Sequence, residues 1–268
     1  MKKQYMIVGV IVIFLISGLS GCIGPQTTDY FNEEYEANEN TVLKANTING
    51  QIEINVWDGD TISFNAVKKS AFGQEELDNI EINVIESENN IEIETKYIGK
   101  KTTIPSVDMN IKVPKYVTVD SATTSNGAVQ ISGTKGDVNV ASSNGAIIIE
   151  NVGGYVSATT SNGRIEIKGT TGVKNLKSSN LGIDAEIYDF QENISISTSN
   201  GNIAVYINSS LNADIDMTTS NGHISIVGLS LDLTISEEKQ KSGKLGDGGN
   251  MISIHTSNGD INLYKLSI

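Results

Sequence analysis

Ser125-Asn126-Gly127-Ala128-Val129-Gln130-Ile131, Ser143-Asn144-Gly145-Ala146-Ile147-Ile148-Ile149 and Ser161-Asn162-Gly163-Arg164-Ile165-Glu166-Ile167 are three renderings of one phrase. Each begins 18 residues after the last. The tripeptide returns at Ser199-Asn200-Gly201, Ser220-Asn221-Gly222 and Ser257-Asn258-Gly259, and a degenerate copy, Ser179-Asn180-Leu181-Gly182, fills the gap. Spacings of 18, 18, 18, 20, 21 and 37 residues mark structural repetition rather than compositional chance.

The flanks of each copy agree. Four residues after each Ser lie Val129, Ile147, Ile165, Ile183, Ile203, Ile224 and Ile261. Six residues after lie Ile131, Ile149, Ile167, Ala185, Val205, Ile226 and Leu263. Apolar residues at a period of two predict a strand with one buried face. A second strand precedes each turn, with Val138 and Val140, Val156 and Ala158, Ile194 and Ile196, Ile215 and Met217, and Ile252 and Ile254 facing inward. Lys174 breaks that column, beside Leu176. Gly-containing loops such as Ser132-Gly-Thr-Lys-Gly136 close each unit.

Turn, strand, loop, strand in about 18 residues is too short for a four-stranded propeller blade and suits one coil of a solenoid. The fold predicted is all-β: a β-solenoid of parallel β-helix or β-roll type over 119–268, with an irregular β-rich part over 42–118 that starts or caps the stack. Asn tolerates the left-handed region and Gly has no Cβ, so each Asn-Gly is read as the reversing pair, and stacked Asn amides are expected to bond from coil to coil. A meander of ordinary Asn-Gly hairpins is the competing reading; it makes neighbouring strands antiparallel. Within 42–118, Asn49-Gly50 carries Ile52 and Ile54 at the same offsets, and a hairpin is expected around 87–90. Leu229 to Asn250 interrupts the period with a charged, Gly-rich stretch.

Trp57-Asp-Gly-Asp60, Ile111-Lys-Val-Pro114, the Thr-Ser-Asn-Gly turns, Gly246-Asp-Gly-Gly249 and Thr256-Ser-Asn-Gly-Asp-Ile261 follow in an order that resembles the putative adhesin domain family of prokaryotic β-repeat proteins. The resemblance covers roughly 42–263. It implies a solenoid-like fold and a surface or envelope role, and it offers no active site to transfer.

The N-terminus indicates where the chain goes. Lys2-Lys3, an apolar run from Met6 to Leu19, and Leu19-Ser20-Gly21-Cys22 have the form of an export signal. Leu19, Ser20 and Gly21 match a lipobox, with Cys22, the single cysteine, as the residue to be lipidated. An uncleaved membrane helix over 6–23 is the alternative anchor. Either one leaves the remainder outside the cytoplasm, because the lysines stay inside. The expected organisation is signal peptide 1–21, tether 22–41 and one continuous domain from 42.

Composition narrows the function. There are 26 Gly, 3 Pro and only 6% aromatic residues, which favours a thin core of branched aliphatics joined by tight turns. The net charge is −13, or −15 once Lys2 and Lys3 are removed, and Arg164 is the single arginine, so nucleic acid is not an expected partner. No cofactor and no metal site are expected. His223 and His255 have no ligand-like spacing, and the turns lack the Asp that a calcium-binding β-roll needs. Glu166 and Asp184 form the best carboxylate pair, at one outward position on successive coils, flanked by Arg164 and Lys168, and no aromatic residue is expected beside them to stack a sugar.

The function expected is a non-catalytic, membrane-anchored surface protein, an adhesin or envelope interaction module. Its partners are the membrane and a cell-surface glycan or envelope protein. A carbohydrate-active enzyme on a β-helix, using Glu166 and Asp184, and an envelope-stress or sensor-associated lipoprotein are the alternatives.

Overall fold

The computed structural model describes residues 26–100 and 104–267. The period of two around each turn builds the strands, and the strands stack in parallel. In chain order, β1 (Thr27–Glu36), β2 (Val42–Thr47), β3 (Ile52–Trp57) and β4 (Thr61–Ser70) precede a one-turn helix, α1 (Gln74–Asp78). A hairpin of β5 (Ile80–Ser87) and β6 (Asn90–Tyr97) follows, then β7 (Ser106–Pro114). The regular coils run through β8 (Thr118–Thr124), β9 (Val129–Ser132), β10 (Val138–Ser142), β11 (Ile147–Glu150), β12 (Tyr155–Thr160) and β13 (Ile165–Lys168). They continue with β14 (Gly172–Lys177), β15 (Ile183–Ile187), β16 (Ile194–Thr198) and β17 (Ile203–Ile207). The last section holds β18 (Ala213–Asn221), β19 (Ile224–Val227), β20 (Asp232–Ser236), β21 (Gln240–Leu245), β22 (Met251–Asn258) and β23 (Ile261–Lys265).

Two long sheets result. One has 11 strands in the order β1-β4-β7-β3-β9-β11-β13-β15-β17-β23-β19, the other 12 in the order β20-β21-β18-β22-β16-β14-β12-β10-β8-β2-β6-β5. Register is set by the repeat: Ile147 lies opposite Ile165 and Val129, and Ile183 opposite Ile203, all in parallel. Parallel pairing excludes the meander of hairpins, because a two-residue hairpin leaves its strands antiparallel.

The inward columns form one core. Of the fourteen positions predicted after the turns, all but Ile226 are buried; Ile226 sits half-buried on the edge strand β19. Lys174 does not break the second column. The register between β12 and β14 shifts, so that Val173 lies opposite Val156 and Leu176 opposite Ala158. This bulge lets the buried Val173 take the inward place and turns Lys174 to solvent.

The two ends depart from the simple period in three ways. The acidic part of the tether does not hang free: Thr27–Glu36 is β1, paired antiparallel with the whole of β4. Within 42–118, β2–β3 and β6–β7 are two full coils of the stack. Its capping strands are β1, β4 and β5, which pair antiparallel and end the parallel ladder. Finally, coils do not stack in chain order at either end. The β2–β3 coil lies inside β6–β7, and the β22–β23 coil lies between β16–β17 and β18–β19. The 37-residue spacing is the path of that return: the chain makes the end coil, caps it with the antiparallel hairpin β20–β21, and comes back inside it.

Candidate binding face

The turn residues come together as two ladders. Asn144 donates its side-chain amide to Asn126 at 2.7 Å, Asn162 to Asn144 at 2.7 Å, Asn180 to Asn162 at 2.6 Å and Asn200 to Asn180 at 3.1 Å. The series ends with Asn258 on Asn200 at 2.8 Å and Asn221 on Asn258 at 2.9 Å. The expected amide ladder is therefore present, in the spatial order of the coils.

The glycines beside those asparagines act differently from the expectation. Gly127, Gly145, Gly163, Gly201, Gly222 and Gly259 do not adopt a positive φ. They are needed because the coils touch there: a Cβ on Gly145 would stand 1.7 Å from the carbonyl oxygen of Gly127, and one on Gly163 1.8 Å from that of Gly145. Close backbone approach, not chain reversal in the left-handed region, selects glycine.

A second ladder was missed. One residue before each Ser stands a buried hydroxyl: Thr124, Ser142, Thr160, Ser178, Thr198, Thr219 and Thr256. Each donates to a carbonyl of the neighbouring coil, at 2.8 to 3.1 Å. Ser142 and Thr160 also accept from the glycine N–H of their own turn. A column that is always Ser or Thr was visible in the sequence. Its meaning was hidden because Ser and Thr are common in turns for local reasons.

At the opposite corner of the coils a polar cluster ties loops together. Lys174 Nζ bonds Asp137 at 2.7 Å, the Tyr155 N–H donates to the same carboxylate at 2.9 Å, and the Tyr155 hydroxyl donates to Asp189 at 2.9 Å. The Lys174 hydrogen bond, then the Tyr155 N–H, hold the Asp137 carboxyl below its usual range; Asp137 in turn holds Lys174 above the usual lysine range. Desolvation, followed by the bond to Asp189, raises the Tyr155 hydroxyl. Asp137 has a lower folded pKa than unfolded, so its contribution is complete above the unfolded value and is lost as pH falls through the folded one. Lys174 behaves oppositely, losing its contribution as pH rises through its raised value. The pair is half-exposed, so Asp137→Asn is expected to cost under about 1 kcal/mol at neutral pH. The difference from wild type should shrink as the pH is lowered, as read by urea unfolding at pH 7 and pH 3.

The outward face of the first sheet holds the candidate chemistry. Glu166 pairs in register with Asp184, as expected. Both carboxylates are engaged: Arg164 bonds Asp184, and Lys168 bonds Glu166. Glu186, on the next outward row, accepts the Gly169 N–H at 2.9 Å and the Tyr188 hydroxyl at 3.1 Å. These groups line a recess of about 250 Å³ together with Tyr206. The expectation of a face without aromatics is thus corrected. Tyr206 lies opposite Glu186 and Tyr264, and its ring stacks on Tyr264 with centroids 5.0 Å apart and planes 20° from parallel. The signal was countable: seven residues after each Ser stand Ser132, Glu150, Lys168, Glu186, Tyr206, Val227 and Tyr264.

The remaining expected residues are dispersed. His223 is exposed beside Asp260 and Glu238 at the end coil, and His255 faces solvent on β22, in the second sheet. Leu19, Ser20, Gly21 and Cys22 lie outside the described residues. Among the described residues no helix is long and apolar enough to cross a membrane.

No curated protein matches the chain. Among solved structures, a putative adhesin from Bacteroides fragilis is 11% identical over 88% of this chain and 97% of its own, with a TM-score of 0.46. A putative cell adhesion protein from Clostridium sporogenes is 14% identical over 89% of this chain and all of its own, with a TM-score of 0.37. A putative lipid binding protein from Parabacteroides distasonis is 14% identical over 87% and 96%, with a TM-score of 0.38. Residues 33–264, which span the nine coils and the tyrosine face, match the family described as Toastrack DUF4097, and the chain belongs to that family.

Proposed function

We propose that this chain is a non-catalytic surface module, held outside the cytoplasm by an N-terminal anchor, that makes adhesive or structural contacts with envelope components. The observation that carries this is the outward face of the sheets. Small polar and charged side chains repeat along parallel coils, and the paired carboxylates Glu166 and Asp184 are tied in ion pairs on an open surface. Solenoids bind by summing weak contacts along such a face. The anchor rests on Leu19-Ser20-Gly21-Cys22.

A glycan-cleaving reading draws on Glu166, Asp184 and the nearby Tyr206. It is the weaker one. Neither carboxylate has the enclosed, apolar setting that turns a carboxyl into a proton donor near neutral pH.

Two measurements bear on the proposal. Cells making the full chain, fed a radiolabelled fatty acid, are expected to label the wild type and not Cys22→Ser; equal labelling removes the lipid anchor. Crosslinking on intact cells should capture envelope components from outside. Capture of cytoplasmic proteins alone, or glycan hydrolysis lost in Glu166→Gln, overturns the reading.

A further inference from the structure

We propose that the recess beside Tyr206 is a carbohydrate-binding subsite that takes an uncharged pyranose ring of a surface glycan; this rests on the surface-module reading above. Tyr264 covers one face of the Tyr206 ring, and Tyr206 borders the recess from the next coil. The ring is therefore held upright by its neighbour and closes one end of the recess as an apolar wall. Rigid strands on both sides fix it, which limits the entropy lost on binding.

The floor and rim supply what a sugar needs besides an apolar wall. Its C–H faces pack on an aromatic ring, and its hydroxyls both donate and accept. Glu166, Asp184 and Glu186 offer acceptors; Arg164 and Lys168 offer donors. Their mutual ion pairs, and the Gly169 N–H and Tyr188 hydroxyl on Glu186, hold these groups in place before a ligand arrives.

The charge pattern selects against ionic ligands. An anion approaching Arg164 or Lys168 also meets three carboxylates, and a cation meeting the carboxylates also meets the two basic groups. A neutral polyol has no such penalty. Past the tyrosine the adjoining outward column holds Ala204, Asn262 and Ser225, in register with Asp184. These are small or amide side chains, so the face continues level for the next sugar of a chain.

The test uses the full chain in detergent micelles, titrated with cellohexaose, chitohexaose and mannohexaose, and separately with polygalacturonate and polylysine. At least one neutral hexamer is expected to bind, with little dependence on salt. Tyr206→Ala should weaken that binding about tenfold, the effect of losing one aromatic contact. Tyr206→Phe should restore most of it, because the ring rather than the hydroxyl makes the wall. Glu166→Gln with Asp184→Asn should also weaken it, and Tyr30→Ala, exposed on β1 at the far end, should not. Melting curves for each variant show that the fold is intact. Failure of all three neutral hexamers to bind, binding undiminished in Tyr206→Ala, or tighter binding of either charged polymer overturns the subsite. Retention of intact cells on envelope material separates the two claims. Retention unchanged in Tyr206→Ala, with no hexamer bound, overturns the subsite and leaves the surface module standing; no retention of the wild type, with no hexamer bound, overturns both.

Discussion

Deleting residues 251–268 is expected to abolish cooperative folding, although they hold only the last two strands in chain order. In a solenoid stacked in chain order the same cut would trim one coil and leave a shorter stack. Here β22 and β23 are interior strands. β22 pairs with β16 on one side and β18 on the other, and β23 with β17 and β19. Removing them takes out Ile252, Ile254, Ile261 and Leu263, all fully buried, and separates the end coil from the rest. Four large aliphatic side chains contribute about 6–12 kcal/mol by burial. That is comparable to the whole stability of a domain, about 5–15 kcal/mol. The Asn200–Asn258–Asn221 part of the amide ladder and the Thr256 hydroxyl bond go with them. Far-UV circular dichroism and thermal melting of the soluble fraction provide the measurement. A truncated chain that melts sharply, close to the intact protein, contradicts the interior placement of the last coil.

The second large effect is expected at Gly145. Gly145→Ala places a methyl 1.7 Å from the Gly127 oxygen and 2.2 Å from its carbon, where real carbon atoms do not approach. The contact is backbone on backbone, so no side chain can move aside. Relief requires coils β10–β11 and β8–β9 to part, which loosens three interactions at once. These are the Asn144–Asn126 amide bond, the Ser142 bond to the Gly127 oxygen and the Asn144 N–H bond to the Ser125 carbonyl. Overpacking of this kind costs about 3 kcal/mol or more. For a chain of this size that lowers the melting temperature by about 6–12 °C. Gly153→Ala is the matched control. Its Cβ would meet nothing closer than 3.8 Å and its φ is not positive, so the melting temperature should hardly change. Equal losses at the two positions would show that stacking distance is not what selects glycine in the turn.

These two results address what the repeat conveys and what it conceals. The inward columns were legible because a strand alternates faces every residue, so a run of Val and Ile at fixed offsets has one consistent interpretation. Coil length was legible because parallel strands must repeat in register to keep that column buried. The succession of motifs was specific enough to be matched as one family across residues 33–264. The bulge at Lys174 was not legible, because Val173 fills the core only when the backbone shifts by one residue. Nor was β1: an acidic, alternating stretch such as Asn32-Glu-Glu-Tyr-Glu36 reads equally as a linker until its partner β4 is seen beside it. The tyrosine wall lay between the two cases. Tyr206 and Tyr264 occupy one column by simple counting, yet their contact depends on β23 lying next to β17.

The sequence by itself determined the local grammar of this protein: a turn every 18 or so residues, one buried face per strand, and a stack of asparagines along one corner. Each depends on residues within a coil, or on the identical position one coil away, so periodicity suffices. Tertiary structure alone decided the order of the coils at the two ends, the antiparallel strands that close them, and the stacking of Tyr206 on Tyr264. Those outcomes depend on which strand edges are left to be satisfied once the interior is built. An unpaired edge is a property of the assembled sheet and of no single stretch of chain.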